Sequence, residues 1–234
     1  MTRAKSSKVN RAWLNDHLND PYVKLAQKEG YRSRAAYKLK EIDETLGLVK
    51  PGMVVVDLGS APGAWSQYLR RRLGRRAESD DPARMDGAIL AVDILEMEHV
   101  DGVDFLQGDF REEAVAEALE ARLAGRRVDL VVSDMAPNLS GIESSDAARI
   151  AHLVELAVEF SLRHLQPRGA LVCKVFHGSG YSQLVEAMKR AFRTVKAIKP
   201  KASRGRSAET FLVGMDPRQA DRSGSDAASS DRWK

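Results

Sequence analysis

The chain is predicted to fold as an α/β protein, a largely parallel sheet covered by helices on both faces, and three observations carry that expectation. Short apolar runs alternate with amphipathic helical segments from Ser33 to Gly214, the pattern that crossover connections between parallel strands produce. One of these runs, Met53 to Asp57, leads into a Gly-rich turn, Gly59-Ser60-Ala61-Pro62-Gly63, and then into a helix. The runs also end on or near acids, Asp57, Asp93, Asp109 and Asp134, at the strand ends where doubly wound sheets bind ligands.

The first 30 residues lack clean periodicity and read as a basic, loosely docked arm, with order beginning near Ser33. Ser33 is a candidate N-cap; Ala36, Leu39, Ile42 and Leu46 recur at helical spacing, and Gly47 ends the run. Strand at Met53–Asp57, helix at Ala64–Leu73, strand at Ala88–Asp93 and a short strand at Val103–Leu106 follow. Next come helix at Glu112–Leu123, strand at Val128–Ser133, a long helix at Ala147–Leu165 and strand at Ala170–Phe176. Helix at Ser182–Phe192 and strands at Val195–Lys199 and Thr210–Gly214 complete the domain, which is assigned to residues 31–215. Gly74–Gly87 is polar and Gly/Pro-containing and reads as an extended loop, and residues 216–234 as a disordered tail.

At 234 residues and 43% hydrophobic composition the chain can bury one full core. No apolar run approaches the roughly 20 residues of a membrane span, and Met1–Asn10 holds no apolar signal segment, so the expected compartment is the cytoplasm. The single cysteine, Cys173, lies in an apolar run and is expected to pack in the core. The five histidines show no ligand spacing, so no metal is predicted. Asn138-Leu139-Ser140 matches a glycosylation acceptor only by chance in such a chain.

Charge is distributed unevenly. Ten Lys or Arg fall in residues 1–40 and eight, with no acid, in residues 189–206, against a net charge of +4. Two basic segments distant in sequence can converge into one electropositive face, the footprint of a phosphate backbone, or can simply be solvated surface. Tyr31 and Tyr37 are candidate stacking surfaces for bases or core residues.

The turn narrows the ligand. A pyrophosphate fingerprint needs G-x-G-x-x-G, whereas Gly59 to Gly63 spell G-x-x-P-G, and Pro62 removes a backbone N–H that a phosphate would use. An adenosyl ligand without phosphate, such as S-adenosylmethionine, suits the turn better than a nicotinamide dinucleotide. Asp93 can accept from both ribose hydroxyls and Asp109 from the adenine amine, though each could equally serve as a helix cap or turn residue. Asp134 precedes a turn, and Lys174 lies inside the apolar run Val172–Phe176, where a lysine seldom stays without a partner. Lys174 is thus either an edge residue reaching water or a positioned amine; Glu209, after the second basic run, could reach the same cleft.

Five segments together resemble the FtsJ family: Arg32–Leu39, the Asp57–Gln67 loop, Asp104–Phe110, Ser133–Asn138 and Lys174–Phe176. The resemblance spans roughly residues 20–214 in order. It implies a Rossmann-like class I S-adenosylmethionine-dependent methyltransferase fold, a seven-stranded mostly parallel sheet with helices on both faces and an antiparallel last strand. It further implies 2′-O-ribose methylation of a uridine in 23S ribosomal RNA within the large ribosomal subunit, by a monomer. The family's catalytic set falls on Lys38, Asp134, Lys174 and Glu209. Its cofactor contacts fall on Gly59, Gly63, Trp65, Asp93, Asp109 and Asp134. Lys174 is expected to orient the hydroxyl and act as base, with Asp134 and Glu209 holding it and Lys38 positioning the substrate. Arg32, Arg34 and Lys38 are expected to face the RNA phosphates. Ser60 and Ala64 depart from the family's usual Ala and Gly, without removing a catalytic group. Competing readings are a relative acting on transfer or messenger RNA, and a non-catalytic RNA-binding ribosome-assembly factor, which would not need the four-residue set.

Overall fold

A computed structural model of the chain describes residues 19–74, 85–137, 140–141, 143–205 and 207–218. The elements are α1 (Pro21–Glu29), α2 (Ala36–Leu46), β1 (Val54–Leu58), α3 (Ala64–Arg72), β2 (Ala88–Asp93), β3 (Val103–Gln107) and α4 (Glu113–Leu123). They continue with β4 (Val128–Ser133), α5 (Glu143–His164), β5 (Leu165–Phe176), α6 (Tyr181–Ala191), β6 (Phe192–Ile198) and β7 (Glu209–Pro217). The seven strands form one sheet in the order β3-β2-β1-β4-β5-β7-β6. The first five strands pair in parallel; β7 lies antiparallel between β5 and β6. The α/β, mostly parallel expectation is therefore met, including the reversed last strand.

Alternation along the strands sorts the core onto two faces. Val56, Leu58, Val131, Leu171 and Cys173 pack with Leu119, Phe160, Leu184 and Met188 of α4, α5 and α6. Their neighbours Val55, Leu130, Val132, Val172 and Phe211 pack with Leu39, Ile42, Trp65 and Leu69 of α2 and α3. Continuing the same alternation puts Asp57, Lys174 and Glu209 on the α2–α3 face, because they share parity with Val55, Val172 and Phe211. Burial pushes the Cys173 thiol up to about 12, in keeping with a packing role.

Three sequence expectations are corrected. Residues 21–29 are helical: Asp20 caps the helix by accepting from the Tyr22 N–H, Pro21 opens it and Gly30, at φ 69°, closes it. Ser33 does not cap α2. Its hydroxyl accepts from the Ala35 N–H at 3.2 Å, two residues ahead of the N-cap position, and the helix begins without a side-chain cap. The fifth strand starts at Leu165, paired with Val128 ahead of a register shift, so Gln166-Pro167-Arg168-Gly169 is an irregular strand segment rather than a loop. Most of the Gly74–Gly87 segment lies outside the described residues, as do Asn138, Leu139, the chain before residue 19 and the tail beyond residue 218; an antiparallel bridge joins Gly74 to Met85. No helix among the described residues is long and apolar enough to cross a membrane.

Candidate active site

The turn after β1 is closed by its own hydrogen bonds. Gly59 and Ser60 donate their N–H groups to the Val92 carbonyl, Gly63 donates to the Ser60 carbonyl, and Ala61 donates to Asp93 Oδ2 at 2.9 Å. Pro62 has no N–H. Every backbone donor from residue 59 to residue 63 is therefore consumed within the protein, and the turn offers no nest for a phosphate. Its glycines are required by protein packing. At Gly59 (φ 77°) a Cβ would sit 2.9 Å from the Met135 backbone, and at Gly63 (φ 103°) 2.6 Å from an Arg32 guanidinium nitrogen.

Carboxylates gather around the turn. Asp57 is fully buried and accepts from the Ser66 hydroxyl at 2.7 Å, while its Oδ1 and the Ser60 hydroxyl oxygen lack hydrogen-bond partners among the described residues. Burial first, then the Asp134 and Asp93 charges, push Asp57 up to about 7 against the lowering effect of the Ser66 hydrogen bond. Asp93 spans two loops, receiving the Ala61 N–H on one oxygen and the Leu95 N–H on the other. Each oxygen keeps acceptor capacity for a hydroxyl. Asp109 is held below the ordinary carboxylate range chiefly by hydrogen bonding with Arg111, so an incoming amine would have to share it. Trp65 is not a pocket wall: its ring is buried beside Phe211 at 5.8 Å and its Nε1–H donates to the Ala35 carbonyl. Only its backbone can serve a ligand at the turn. A donor set rich in carboxylates and poor in free N–H groups fits a cationic adenosyl ligand and not a phosphorylated one.

At the neighbouring strand ends the four predicted catalytic residues form two ion pairs. Lys38 Nζ from α2 lies 2.7 Å from Glu209 Oε2 at the start of β7. Lys174 Nζ from β5 lies 3.0 Å from Asp134 Oδ1 and donates to the Asp134 carbonyl just beyond β4. Lys174 is 8% exposed on a strand with partners on both sides, which eliminates the edge-residue reading. The Glu209 carboxylate also accepts from the Ser203 hydroxyl at 2.8 Å. Burial raises the Glu209 carboxyl, but Lys38, the Ser203 hydrogen bond and the Lys174 charge outweigh it and hold it below its usual value. Sequence reasoning missed Ser203, which looked like one more polar residue in a basic loop.

The expected RNA-facing side chains behave differently. Arg34 pairs with Asp20 at 3.1 Å and donates to the Ala202 carbonyl, Lys38 is committed to Glu209, and Arg32 donates to three backbone carbonyls. Tyr37 is 3% exposed and packs against Tyr22 and Tyr31, while Tyr31 lies beneath the Arg71 guanidinium, so neither tyrosine is a free stacking platform. The two basic segments do meet. Glu41 of α2 accepts the N–H groups of Lys201 and Ala202, and Arg204 approaches Asp20 at 3.8 Å. Lys24, Lys28, Lys199, Lys201 and Arg204 remain exposed there. No cluster of three or more His, Cys, Asp or Glu that could hold a metal ion occurs among the described residues.

Comparison with known proteins gives the family and the fold. Residues 31–216 match the model of the FtsJ-like methyltransferases. The chain is 69% identical over 216 residues to Ribosomal RNA large subunit methyltransferase E of Methylibium petroleiphilum, covering 91% of this chain and 96% of that one. It is 68% identical over 214 residues to the protein of the same name from Variovorax paradoxus, covering 92% and 96%. Among solved structures, a Plasmodium falciparum protein assigned as a ribosomal RNA methyltransferase superposes with a TM-score of 0.69 at 26% identity, over 81% of this chain and 100% of that one.

Proposed function

The chain belongs to the FtsJ-like methyltransferase family, and from that footing we propose that it methylates the 2′-hydroxyl of a uridine ribose in 23S ribosomal RNA of the large subunit, using S-adenosylmethionine. The observation that carries the reading is the paired set Lys38–Glu209 and Lys174–Asp134, set beside a turn whose donors are spent and whose surroundings are acidic. A pure RNA-binding factor has no use for two lysine–carboxylate pairs drawn out of solvent, since burying such charges opposes folding unless each is well partnered.

When bound, the cofactor supplies an electrophilic methyl group on a sulfonium. The protein's work is alignment and proton management. Asp93 would accept from the ribose hydroxyls, Asp109 would share the adenine amine with Arg111, and the backbone of Gly59, Gly63 and Trp65 would border the ligand. Asp134 adds negative charge beside a cation, and Asp57 does so only when ionised. Lys174 is placed to hold the attacking 2′-oxygen and, as the neutral amine left once its extra proton has gone to solvent, to take the hydroxyl proton, with Asp134 fixing the amine. Glu209 and Lys38 fix the substrate side of the cleft. Lys174 would receive the proton of the 2′-hydroxyl as that oxygen accepts the methyl group the cofactor supplies, and near-attack alignment by these residues would give much of the rate gain. The exposed lysines of α1 and of the loop between β6 and β7 would carry the RNA backbone.

The test is transfer of labelled methyl from S-adenosylmethionine to large ribosomal subunits, free large-subunit RNA and transfer RNA in parallel, with Lys174→Ala as control. Label confined to the large-subunit substrates and lost in the variant supports the reading; label on transfer RNA moves the substrate, and no label on any RNA overturns it.

A further inference from the structure

Arg32 sits where an RNA-contacting arginine would be expected, yet its guanidinium points inward. Nη1 donates to the Pro62 carbonyl at 2.9 Å and to the Glu98 carbonyl at 2.7 Å, and Nη2 donates to the His99 carbonyl at 2.7 Å. The two segments it joins are the turn after β1 and the loop after β2, the same two that Asp93 joins through the Ala61 and Leu95 N–H groups. Its side chain is 17% exposed, and the carboxylate paired with it, that of Glu98, lies 3.9 Å away and is 92% exposed, so among the described residues the charge is spent mainly on backbone carbonyls. Gly63 leaves the space that the guanidinium fills; a Cβ there would meet Nη1 at 2.6 Å and Met97 Sδ at 3.0 Å. The Arg32 backbone is fixed in turn, its N–H donating to Gln67 Oε1 of α3 at 2.8 Å.

We infer that Arg32 is a positioning residue for the cofactor, a three-carbonyl clamp that sets the separation of the two cofactor-bearing loops and ties them to the segment leading into α2, which carries Lys38. The inference rests on the S-adenosylmethionine reading above, and it removes Arg32 from the RNA surface. An ammonium cannot reproduce a planar fork that serves three acceptors at once, so Arg32→Lys keeps the charge and loses the clamp.

Five measurements on the full chain decide it: calorimetric binding of S-adenosylhomocysteine without RNA, steady-state kinetics in S-adenosylmethionine, RNA affinity across a salt series, backbone amide exchange and thermal unfolding. For Arg32→Lys and Arg32→Ala alike, the expected result is a loss of S-adenosylhomocysteine affinity of about tenfold or more. The KM for S-adenosylmethionine rises with kcat at saturation nearly unchanged, and the slope of RNA affinity against salt stays within error of wild type. Exchange accelerates at residues 59–63 and 94–100 while the melting temperature stays close to wild type. Unchanged cofactor affinity in both variants, with RNA affinity lost in Arg32→Ala and restored in Arg32→Lys, overturns the clamp. So does unchanged exchange in the two loops. A wild-type protein that binds no S-adenosylhomocysteine would sink the cofactor reading itself, and the exchange arm would still report whether Arg32 holds the loops together.

Discussion

Lys38 and Glu209, 171 positions apart in the chain, meet at 2.7 Å with side chains only 13% and 11% exposed. The contact joins the first helix packed on the sheet to the strand that reverses its direction. Lys38→Met strands a largely buried carboxylate and is expected to cost about 3 kcal/mol of stability, with loss of methyl transfer. Chemical denaturation and a turnover assay read the two effects separately.

The folded state holds the Glu209 carboxyl below the 4.5 of an ordinary glutamate. Its stabilising contribution is therefore complete above that value and is lost as pH falls through the lower folded-state value. Glu209→Gln is expected to flatten the acid limb of the stability curve below about pH 4.5 relative to wild type, measured by denaturant midpoints across pH.

Asp57 has the opposite sign. Raised from 3.8 to about 7, it favours the folded state when protonated, so its contribution is whole below pH 3.8 and declines as pH climbs toward 7. The loss amounts to about 4 kcal/mol over that interval. In cofactor-free protein, Asp57→Asn is expected to remove the decline, and a wild-type stability curve with the same slope as the variant would contradict this.

Lys174→Ala removes the residue placed to take the proton and is expected to slow single-turnover methyl transfer by about 10²–10⁴-fold while S-adenosylhomocysteine affinity stays within about twofold. Comparable losses in both quantities would assign Lys174 to cofactor binding instead.

Asp93→Ala should do the reverse, raising the KM for S-adenosylmethionine with a smaller change in kcat, because it removes an acceptor and releases the Ala61 and Leu95 N–H groups. Asp93→Asn, which keeps one acceptor oxygen, should lose less; titration calorimetry of the two variants gives the order.

RNA binding is expected to weaken steeply with salt, and each of Lys24→Ala, Lys28→Ala and Lys201→Ala should lower the log–log slope by up to about one, as removal of a phosphate contact does. Filter binding between low and moderate salt measures it.

Much of the sheet was legible because continuous apolar runs and the turn glycines declare strands buried on both faces without reference to distant contacts. The segment at α1 was missed although its signals were present: Asp20 and Pro21 at one end, Gly30 at the other, with only Val23 and Ala26 buried between them. Two buried positions make too thin a stripe to register as periodicity. The early start of β5 was hidden by Pro167 and Gly169, which announce a turn between Leu165 and Ala170, the two residues at which β5 pairs with β4 on either side of the register shift. Asp134, Lys174 and Glu209 were legible from strand ends and from a lysine in an apolar run, Lys38 only from the family resemblance; the Lys174–Asp134 contact was expected, but Glu209 pairs with Lys38 rather than Lys174, since nothing local in Lys38 or Glu209 names its partner. Arg32 and Arg34 misled for the same reason. A basic pattern counts charges but cannot show that a guanidinium is turned inward onto carbonyls.

The reversal of β7 also orders events in time. Because β7 inserts between β5 and β6, the strand that completes the interior of the sheet is made after both of its neighbours, and it brings Glu209 with it. Lys38 leaves the synthesising ribosome early and waits for a carboxylate that emerges 171 residues later, which at about 5–20 residues per second is roughly ten to thirty seconds. Until then β5 presents an unpaired edge and Lys38 has no counter-charge, so the nascent chain can assemble its cofactor turn well before it can assemble the paired set. The ion pair between Lys38 and Glu209 is thus among the late contacts of the growing polypeptide.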